Sequence, residues 1–522
     1  MQTPLKQFKK LQLQPKIISS FSLDRLSFLI IGFGILVRLV QYLFNRSLWN
    51  DEAALALNIV NRSYAELLQP LDYNQGAPLG FLMVEKLAVQ LLGNNEYALR
   101  LFPLISSIAS LFLFYYLAKR CLQKPAIPIA LTLFAGLEYL LYFASELKQY
   151  STDVAIAIFC CTIGVSLNRK RIDTSQVIVY ALGGAIAVWF SHPAIFVLAG
   201  VGIYHILSSW QQKNRDKLII VLAIVSSWFL SFASLYFLSL RNLGESEYLL
   251  RSWTNKYAFP TSVFDINWSY LRYIKLFKDP LGFPEPWIVV PRLVCLAGFI
   301  SLWYRRKEIL FILISPFLVT LLAGYLQKYP FHSRLVTFLT PFFILGIAEG
   351  SYFIWQKTCK HKFTAIIGIL IICLLLVVPV ANASYRLVQP QTKQEIKQVM
   401  SYVKSHQQPG DIIYIYQRAE YQFRYYAAKY GYREGDYIMG IDDLDEYDGK
   451  GMSEQEWARY QNDFDKLRGN RRVWVILSHI THVPTEQQRI LSYLDSMGQK
   501  IDSFTVPGSF AYLYDFSQKI SI

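Results

Sequence analysis

Ser47-Leu-Trp-Asn-Asp51-Glu52-Ala-Ala-Leu55 follows directly on an apolar run at 27–44 and sets two adjacent carboxylates where a membrane segment would meet water. Two readings of this stretch compete. Asp51 and Glu52 open a short amphipathic segment carrying Leu55, Ile59 and Val60, which suits a helix start capped by Asn50, with acids favoured at the positive helix terminus. Alternatively the pair is chemical, with Asp51 as a base and Glu52 beside it. The second reading gains from four potential cations that fall on the same side of the membrane, Lys86, Lys148, His192 and Arg334.

The rest of the chain sets the scene for that stretch. Of its 522 residues 53% are apolar and 16% aromatic, a balance too greasy for an ordinary soluble protein. A spanning helix needs about 20 mostly apolar residues. Eleven stretches qualify, near 27–44, 101–118, 126–144, 150–167, 175–190, 194–209, 218–239, 287–303, 308–326, 335–355 and 363–382. With the N-terminus in the cytoplasm, the N-terminal segment and the short loops on its side hold twenty Lys and Arg, against three in the short loops opposite. That asymmetry supports eleven spans with N inside and C outside. The basic N-terminal segment has no small-residue cleavage site after its apolar run, so it reads as an uncleaved first span.

The net charge of +15 is unevenly spread, since residues 385–522 hold 17 Lys and Arg against 18 Asp and Glu. The excess belongs to the cytoplasmic fringe and suits anionic headgroups, so no nucleic-acid partner is implied. All six cysteines precede residue 385, and no Cys/His cluster has zinc spacing. No structural metal is expected.

Several polar residues stand out against the apolar background. Phe81–Leu92 is too short to cross and reads as a helix lying in the outer interface, with Lys86 facing the Asp51 stretch as a phosphate ligand, or snorkelling beside Glu85. Arg38 and Glu138 fall inside the first and third spans, as functional groups or as a structural pair. Glu146-Leu-Lys148-Gln-Tyr150-Ser-Thr-Asp153 ends the third span as a polar site or a solvated loop. His192 lies in a tight connection, Ser191-His192-Pro193, where a structural role competes with a chemical one. Arg334 precedes the tenth span, where a guanidinium fork and free helix N–H groups would suit an anion; anchoring is the alternative. The outer loop 241–286 places Trp253, Tyr257, Trp268 and Tyr270 among Arg251, Lys256, Arg272 and Lys275, a composition that covers a lipid or sugar or rests at the interface.

From about 385 the composition is that of a soluble domain. Strands are expected at 411–416, 473–477 and 512–515 and helices near 396–403 and 484–498. Asp442–Asp448 reads as a solvated acidic loop or a calcium ligand set. The division expected is 1–384 for the membrane part and 385–522 for a small α/β domain.

At these positions the chain resembles the GT-C superfamily of integral-membrane glycosyltransferases, in particular the bacterial branch related to protein O-mannosyltransferases and lipid A aminoarabinose transferases, glycosyltransferase family 39. The resemblance covers about 27–384. It rests on Asp51-Glu52 after the first span, on the connector and helix ending in Gly93-Asn-Asn-Glu-Tyr97-Ala-Leu-Arg100, on the Glu146–Asp153 motif and, less specifically, on Ser191-His192-Pro193 and on Arg334 with Pro341. It implies a mainly α fold, a GT-C transmembrane bundle with the C-terminal domain outside the cytoplasm, set in a bacterial inner (plasma) membrane. It also implies a polyprenyl-phosphate sugar donor and an inverting transfer to a lipid, glycan or protein acceptor on the extracytoplasmic side. Asp51 and Glu52 would be catalytic, and Lys86, Glu146, Lys148, Tyr150, Asp153, His192 and Arg334 would bind substrate. A weak carboxylate base would need its pKa raised by partial burial. No cofactor is required, with a divalent cation left as an option. A flippase or transporter of lipid-linked sugars and a polysaccharide polymerase are the alternatives; a transporter would concentrate its charge at mid-membrane in repeated halves.

Overall fold

The computed structural model describes residues 20–169, 172–244, 247–441, 453–480 and 484–517. Asp442–Asp448, Lys6, Lys9, Lys10, Lys16, Lys170 and Arg171 lie outside them.

The helices run in the order α1 (Ser20–Leu43), α2 (Asn50–Asn61), α3 (Leu79–Leu92), α4 (Glu96–Cys121), α5 (Ala126–Gly136), α6 (Glu138–Phe143), α7 (Tyr150–Ser166), α8 (Thr174–Phe190), α9 (Ala194–Gln211), α10 (Arg215–Leu235), α11 (Arg241–Gly244), α12 (Glu247–Asn255), α13 (Ile266–Lys278), α14 (Val289–Arg305), α15 (Lys307–Tyr325), α16 (Thr340–Thr358) and α17 (Lys362–Val388). Among the described residues seven stretches are long and apolar enough to cross a membrane: Ser22–Leu43, Glu96–Cys121, Ala194–Gln211, Arg215–Leu240, Lys307–Tyr325, Ser333–Thr358 and Lys362–Val388. Three apolar helices, α5, α7 and α8, are shorter, and α14 carries Arg292 and Arg305. The outward faces of these helices are apolar: on α17 Ile366, Ile367, Leu370 and Val377 are exposed, and on α10 Ile219, Phe229 and Leu230. So much bare hydrocarbon belongs in lipid, and the chain is a polytopic helical membrane protein.

Inside, the bundle packs closely. Where α14 meets α16, a Cβ on Gly298 would lie 1.9 Å from the Gly346 carbonyl oxygen and one on Gly350 1.8 Å from that of Val294, so only glycine lets these backbones touch. Phe114 and Phe134 stack at 4.3 Å between α4 and α5. The expected third span is broken at Leu137 into α5 and α6, and this places Glu138 at the head of α6, where it pairs with Arg386 of α17 at 2.5 Å. Arg38 is fully buried and donates to Ser107 Oγ at 2.8 Å and to the Gly34 and Ala135 carbonyls at 3.0 and 3.2 Å, stapling α1 to α4 and α5. Arg38 and Glu138 are thus each held by partners within the bundle.

After α17 come α18 (Ile396–His406), β1 (Ile412–Ile415), α19 (Glu420–Ala427), β2 (Ile438–Met439), α20 (Glu454–Asp465), β3 (Val473–Ser478), α21 (Pro484–Met497), β4 (Gln499–Val506) and β5 (Ser509–Asp515). The sheet order is β2-β1-β3-β5-β4; β1 is parallel to β2 and β3, and β5 is antiparallel to both its neighbours. One face buries Trp457, Tyr460 and Phe464 of α20 and Ile490 and Leu494 of α21. The other carries Ile413, Ile415, Trp474 and Ile476, under α18 and α19, in a core continuous with that of the bundle. Strand alternation sends successive side chains to these two faces. β2 and β4 lie beyond the strands expected from the sequence: β2 is two residues long, and β4 is a polar edge strand.

Candidate active site at the Asp51 loop

The loop between α1 and α2 is held from all sides, and Glu52 is its anchor. Its Oε1 accepts from Arg100 Nε at 2.9 Å and from the Leu147 N–H at 2.7 Å; its Oε2 accepts from Arg100 Nη2 at 2.7 Å and from the Trp49 N–H at 3.3 Å. Four donors fill what two carboxylate oxygens accept. Arg100 also donates to the carbonyls of Arg46 and Ser47 at 2.7 and 3.1 Å. Both side chains are buried. Burial pushes the Glu52 pKa up, but the Arg100 and Arg46 charges and the Leu147 N–H outweigh it and hold the group ionised. α2, α4 and the 144–149 loop are thereby tied in one knot. Asn50 does not cap α2: no side chain caps this terminus, Asn50 Oδ1 has no partner among the described residues, and the turn is closed by Glu52 instead.

Asp51, one residue earlier, is different. Its side chain is 26% exposed and its Oδ2 lies 2.6 Å from Arg334 Nη2. Burial raises its pKa, but Arg334 and then Lys148 pull harder and hold the carboxyl well below the usual range. The expected upward shift is therefore corrected: the cations gathered around Asp51 reverse it. Arg334 stands in a 3-10 turn, Ser333–Leu339, ahead of α16, rather than at an α-helix N-terminus. Its guanidinium is 5.4 Å from the Trp49 ring centroid and 6.0 Å from that of Tyr150.

Lys148 is buried and donates to Gln75 Oε1 at 2.6 Å; burial pushes its pKa down to about 8 despite the pull of Asp51. Glu146 Oε1 accepts from Trp49 Nε1 at 2.5 Å and lies 3.9 Å from Lys393 Nζ, while its buried Oε2 has no partner among the described residues. Burial first, and Glu52 in addition, raise the Glu146 pKa against the pull of Lys393. Tyr150 packs on Phe143 at 4.7 Å, and Asp153 follows at the head of α7, buried, with Oδ1 unpartnered among the described residues. His192 lies between α8 and α9 with a buried Nε2 likewise unpartnered, and burial pushes its pKa down to about 4, so the ring is neutral.

Lys86 is not with the others. Its Nζ donates to the carbonyls of Ile59 and Val60 at 2.9 and 3.1 Å and closes the C-terminus of α2. Eight residues of helix, about 12 Å, separate that end from Asp51. The expectation that Lys86 faces Asp51 is corrected: the negative end of α2 claims the ammonium.

Sequence reasoning missed the C-terminal contribution. Glu395 Oε2 accepts from the Ser47 N–H and Oγ at 3.2 and 3.0 Å, Gln394 Oε1 from the Asn50 N–H at 3.0 Å, and Tyr426 OH from the Leu48 N–H at 2.9 Å. Lys393 Nζ lies 4.0 Å from the Trp49 ring centroid and 4.2 Å from that of Tyr142. These residues are more than 340 positions from the loop they hold, so no local pattern marks them. Among the described residues no three of His, Cys, Asp and Glu come together as metal ligands.

The sequence matches no protein-family model and no curated protein. Solved structures do match. The Archaeoglobus fulgidus oligosaccharyltransferase tethered with an acceptor peptide containing the NVT sequon aligns over 93% of this chain and 74% of its own, with TM-score 0.54 and 11% identity. The archaeal oligosaccharyltransferase AglB of the same organism, in complex with an inhibitory peptide and a dolichol-phosphate, aligns over the same shares with TM-score 0.51 and 10% identity. ArnT from Cupriavidus metallidurans bound to undecaprenyl phosphate gives TM-score 0.48 and 12% identity over 93% of this chain and 97% of its own. At 10–11% identity what is shared with the archaeal enzyme is architecture, and the chain has the fold of the GT-C membrane glycosyltransferases.

Proposed function

We propose that the protein is an inverting glycosyltransferase that moves a sugar from a polyprenyl-phosphate donor to an acceptor hydroxyl. The observation that carries this is the Asp51–Arg334 pair, a carboxylate and a guanidinium 2.6 Å apart and partly exposed, mounted on the saturated Glu52 knot. A carboxylate to take a proton and a fork to receive a phosphate are what such a transfer needs. The shared fold supports the reading, since the archaeal neighbour was solved with a dolichol-phosphate.

In this reading the donor phosphate draws Arg334 away from Asp51, with Lys148 adding charge. Freed of its closest cation, Asp51 becomes more basic. The acceptor oxygen attacks the anomeric carbon from the face opposite the phosphate and passes its proton to Asp51; the carbon–oxygen bond to phosphate breaks, and that oxygen keeps the electron pair. Lipid phosphate is a good leaving group and calls for positive charge rather than an acid. Glu52 positions Asp51 through the backbone, and Glu146, Tyr150, Asp153 and His192 line the substrate.

The same reading keeps eleven crossings in a bacterial plasma membrane, with 1–384 as the transferase part and 385–522 outside the cytoplasm. It is supported by the charge asymmetry and by helix at each of the eleven apolar stretches. The test is Asp51→Asn, assayed for transfer from a polyprenyl-phosphate sugar by purified protein alongside thermal unfolding. Loss of a base costs ~10²–10⁴-fold in rate, while the fold is expected to survive. Transfer near the wild-type rate would overturn the role of Asp51.

A further inference from the structure

A histidine of the C-terminal domain stands beside the Asp51 loop. His479 follows β3 with a φ of +58°, in the left-handed region that favours glycine, and its N–H donates to the Gly508 carbonyl at 3.3 Å. Two glutamines clamp this end of β3 onto the loop. Gln422 accepts from Ser478 Oγ at 2.5 Å with its Oε1 and donates from Nε2 to the Leu48 carbonyl at 2.8 Å. Gln394 accepts from the Asn50 N–H at 3.0 Å with its Oε1, and its Nε2 lies 2.6 Å from His479 Nδ1. The half-buried imidazole therefore sits against the turn that leads into Asp51, its centroid 6.2 Å from that of the Trp49 ring, near which the Arg334 guanidinium also lies. Backbone strain of this kind gathers where geometry serves function.

These partners fix the tautomer. The Asn50 N–H can only donate, so the Gln394 amide turns its oxygen to Asn50 and its NH2 to the histidine. An amide N–H meeting Nδ1 takes the lone pair there, which puts the ring proton on Nε2. His479 thus carries an N–H donor at Nε2, and with its lone pair engaged it is not itself a base. Burial raises the Asp51 pKa, and Arg334 first, then Lys148, then His479 pull it down. In the transferase reading the donor phosphate claims Arg334 and Lys148, which leaves His479 as the one of these three that Asp51 keeps.

We infer that His479 is a positioning residue of the transfer site: its Nε2–H holds the Asp51 carboxylate toward the acceptor hydroxyl once the phosphate has drawn Arg334 away. The inference rests on the transferase reading. A neutral N–H orients a carboxylate without the full charge that would keep it from taking a proton. Two variants separate this role from that of a clasp, because asparagine keeps an acceptor near Nδ1 and tolerates a positive φ, whereas glutamine carries an amide N–H near Nε2. His479→Asn is expected to lower kcat for transfer from a polyprenyl-phosphate sugar on the order of 10–100-fold. The KM for that donor, the affinity for undecaprenyl phosphate and the unfolding temperature of the full chain in detergent should stay at wild-type values, and His479→Gln should recover part of the rate. A structural clasp predicts the reverse order of the two variants. Asp51→Asn combined with His479→Asn is expected to be no slower than Asp51→Asn alone, since one residue acts through the other. Wild-type kcat in His479→Asn, or a further loss in the double variant, overturns the inference. So does binding of undecaprenyl phosphate weakened about ten-fold in His479→Asn, which would make His479 a phosphate ligand. If Asp51→Asn itself transfers near the wild-type rate, the base reading falls and this role with it; if Asp51→Asn is inactive and His479→Asn is not, only the role of His479 falls.

Discussion

Two adjacent carboxylates on one helix turn have opposite surroundings. Glu52 is buried, takes four donors and has no capacity left, whereas Asp51 is partly open and leans on one guanidinium that is itself partly exposed. The difference shows how a site is divided between rigidity and chemistry. A group whose partners are all fixed holds geometry and cannot exchange them; a group with one exchangeable partner can give it up to a substrate. The knot lets Asp51 stand at the edge of a loop without the loop moving.

The contrast is sharpest under substitution. Glu52→Gln leaves Arg100 buried beside a neutral amide and is expected to cost about 3–5 kcal/mol of stability, read as a large fall in unfolding temperature in detergent. Asp51→Asn is expected to cost about 1 kcal/mol at most, because its pair is partly solvated. Equal losses for the two would erase the distinction. Arg334→Ala is expected to weaken binding of the lipid-phosphate donor by about 1.5–3 kcal/mol with little effect on folding, and Arg334→Lys to restore only part of it, since an ammonium lacks the fork.

Lys148 gives a pH signature. Its pKa is held down to about 8, so its charge is present below that pH and lost above it. The KM for the donor is expected to rise roughly five-fold, about 1 kcal/mol, as pH passes through 8, and Lys148→Arg to flatten the profile. Folding stability should move the other way. The unfolded lysine keeps its proton to about 10.4, so between these values the unfolded state binds more protons and stability from this group rises with pH. Weaker binding with undiminished stability separates titration from unfolding. The smallest effect is expected at Lys86→Met, which removes two hydrogen bonds from the C-terminus of α2 and costs about 0.5–1.5 kcal/mol of stability, with transfer unchanged; a loss of transfer would return Lys86 to the site.

Much of this molecule was legible in its sequence because the signals are local. Apolar runs mark helices wherever lipid must be faced, and each of the eleven stretches carries helix. Val473–Leu477 reads as a buried strand from its composition alone. Asp51, Arg334, Glu146 and Lys148 stand out in the sequence as charges set against apolar surroundings. What the sequence determined, then, was the membrane class, the α/β character of the last quarter and the residues worth suspecting. Tertiary structure decided their roles. Only the fold shows that Glu52 meets Arg100, 48 positions on, that Lys86 turns to helix carbonyls, and that Gln394 and Glu395 grip the Asp51 loop from the far end of the chain. A charge is visible as a letter, but its partner is fixed by packing, and it is the partner that makes one carboxylate a saturated rivet and leaves its neighbour on a single, partly exposed guanidinium.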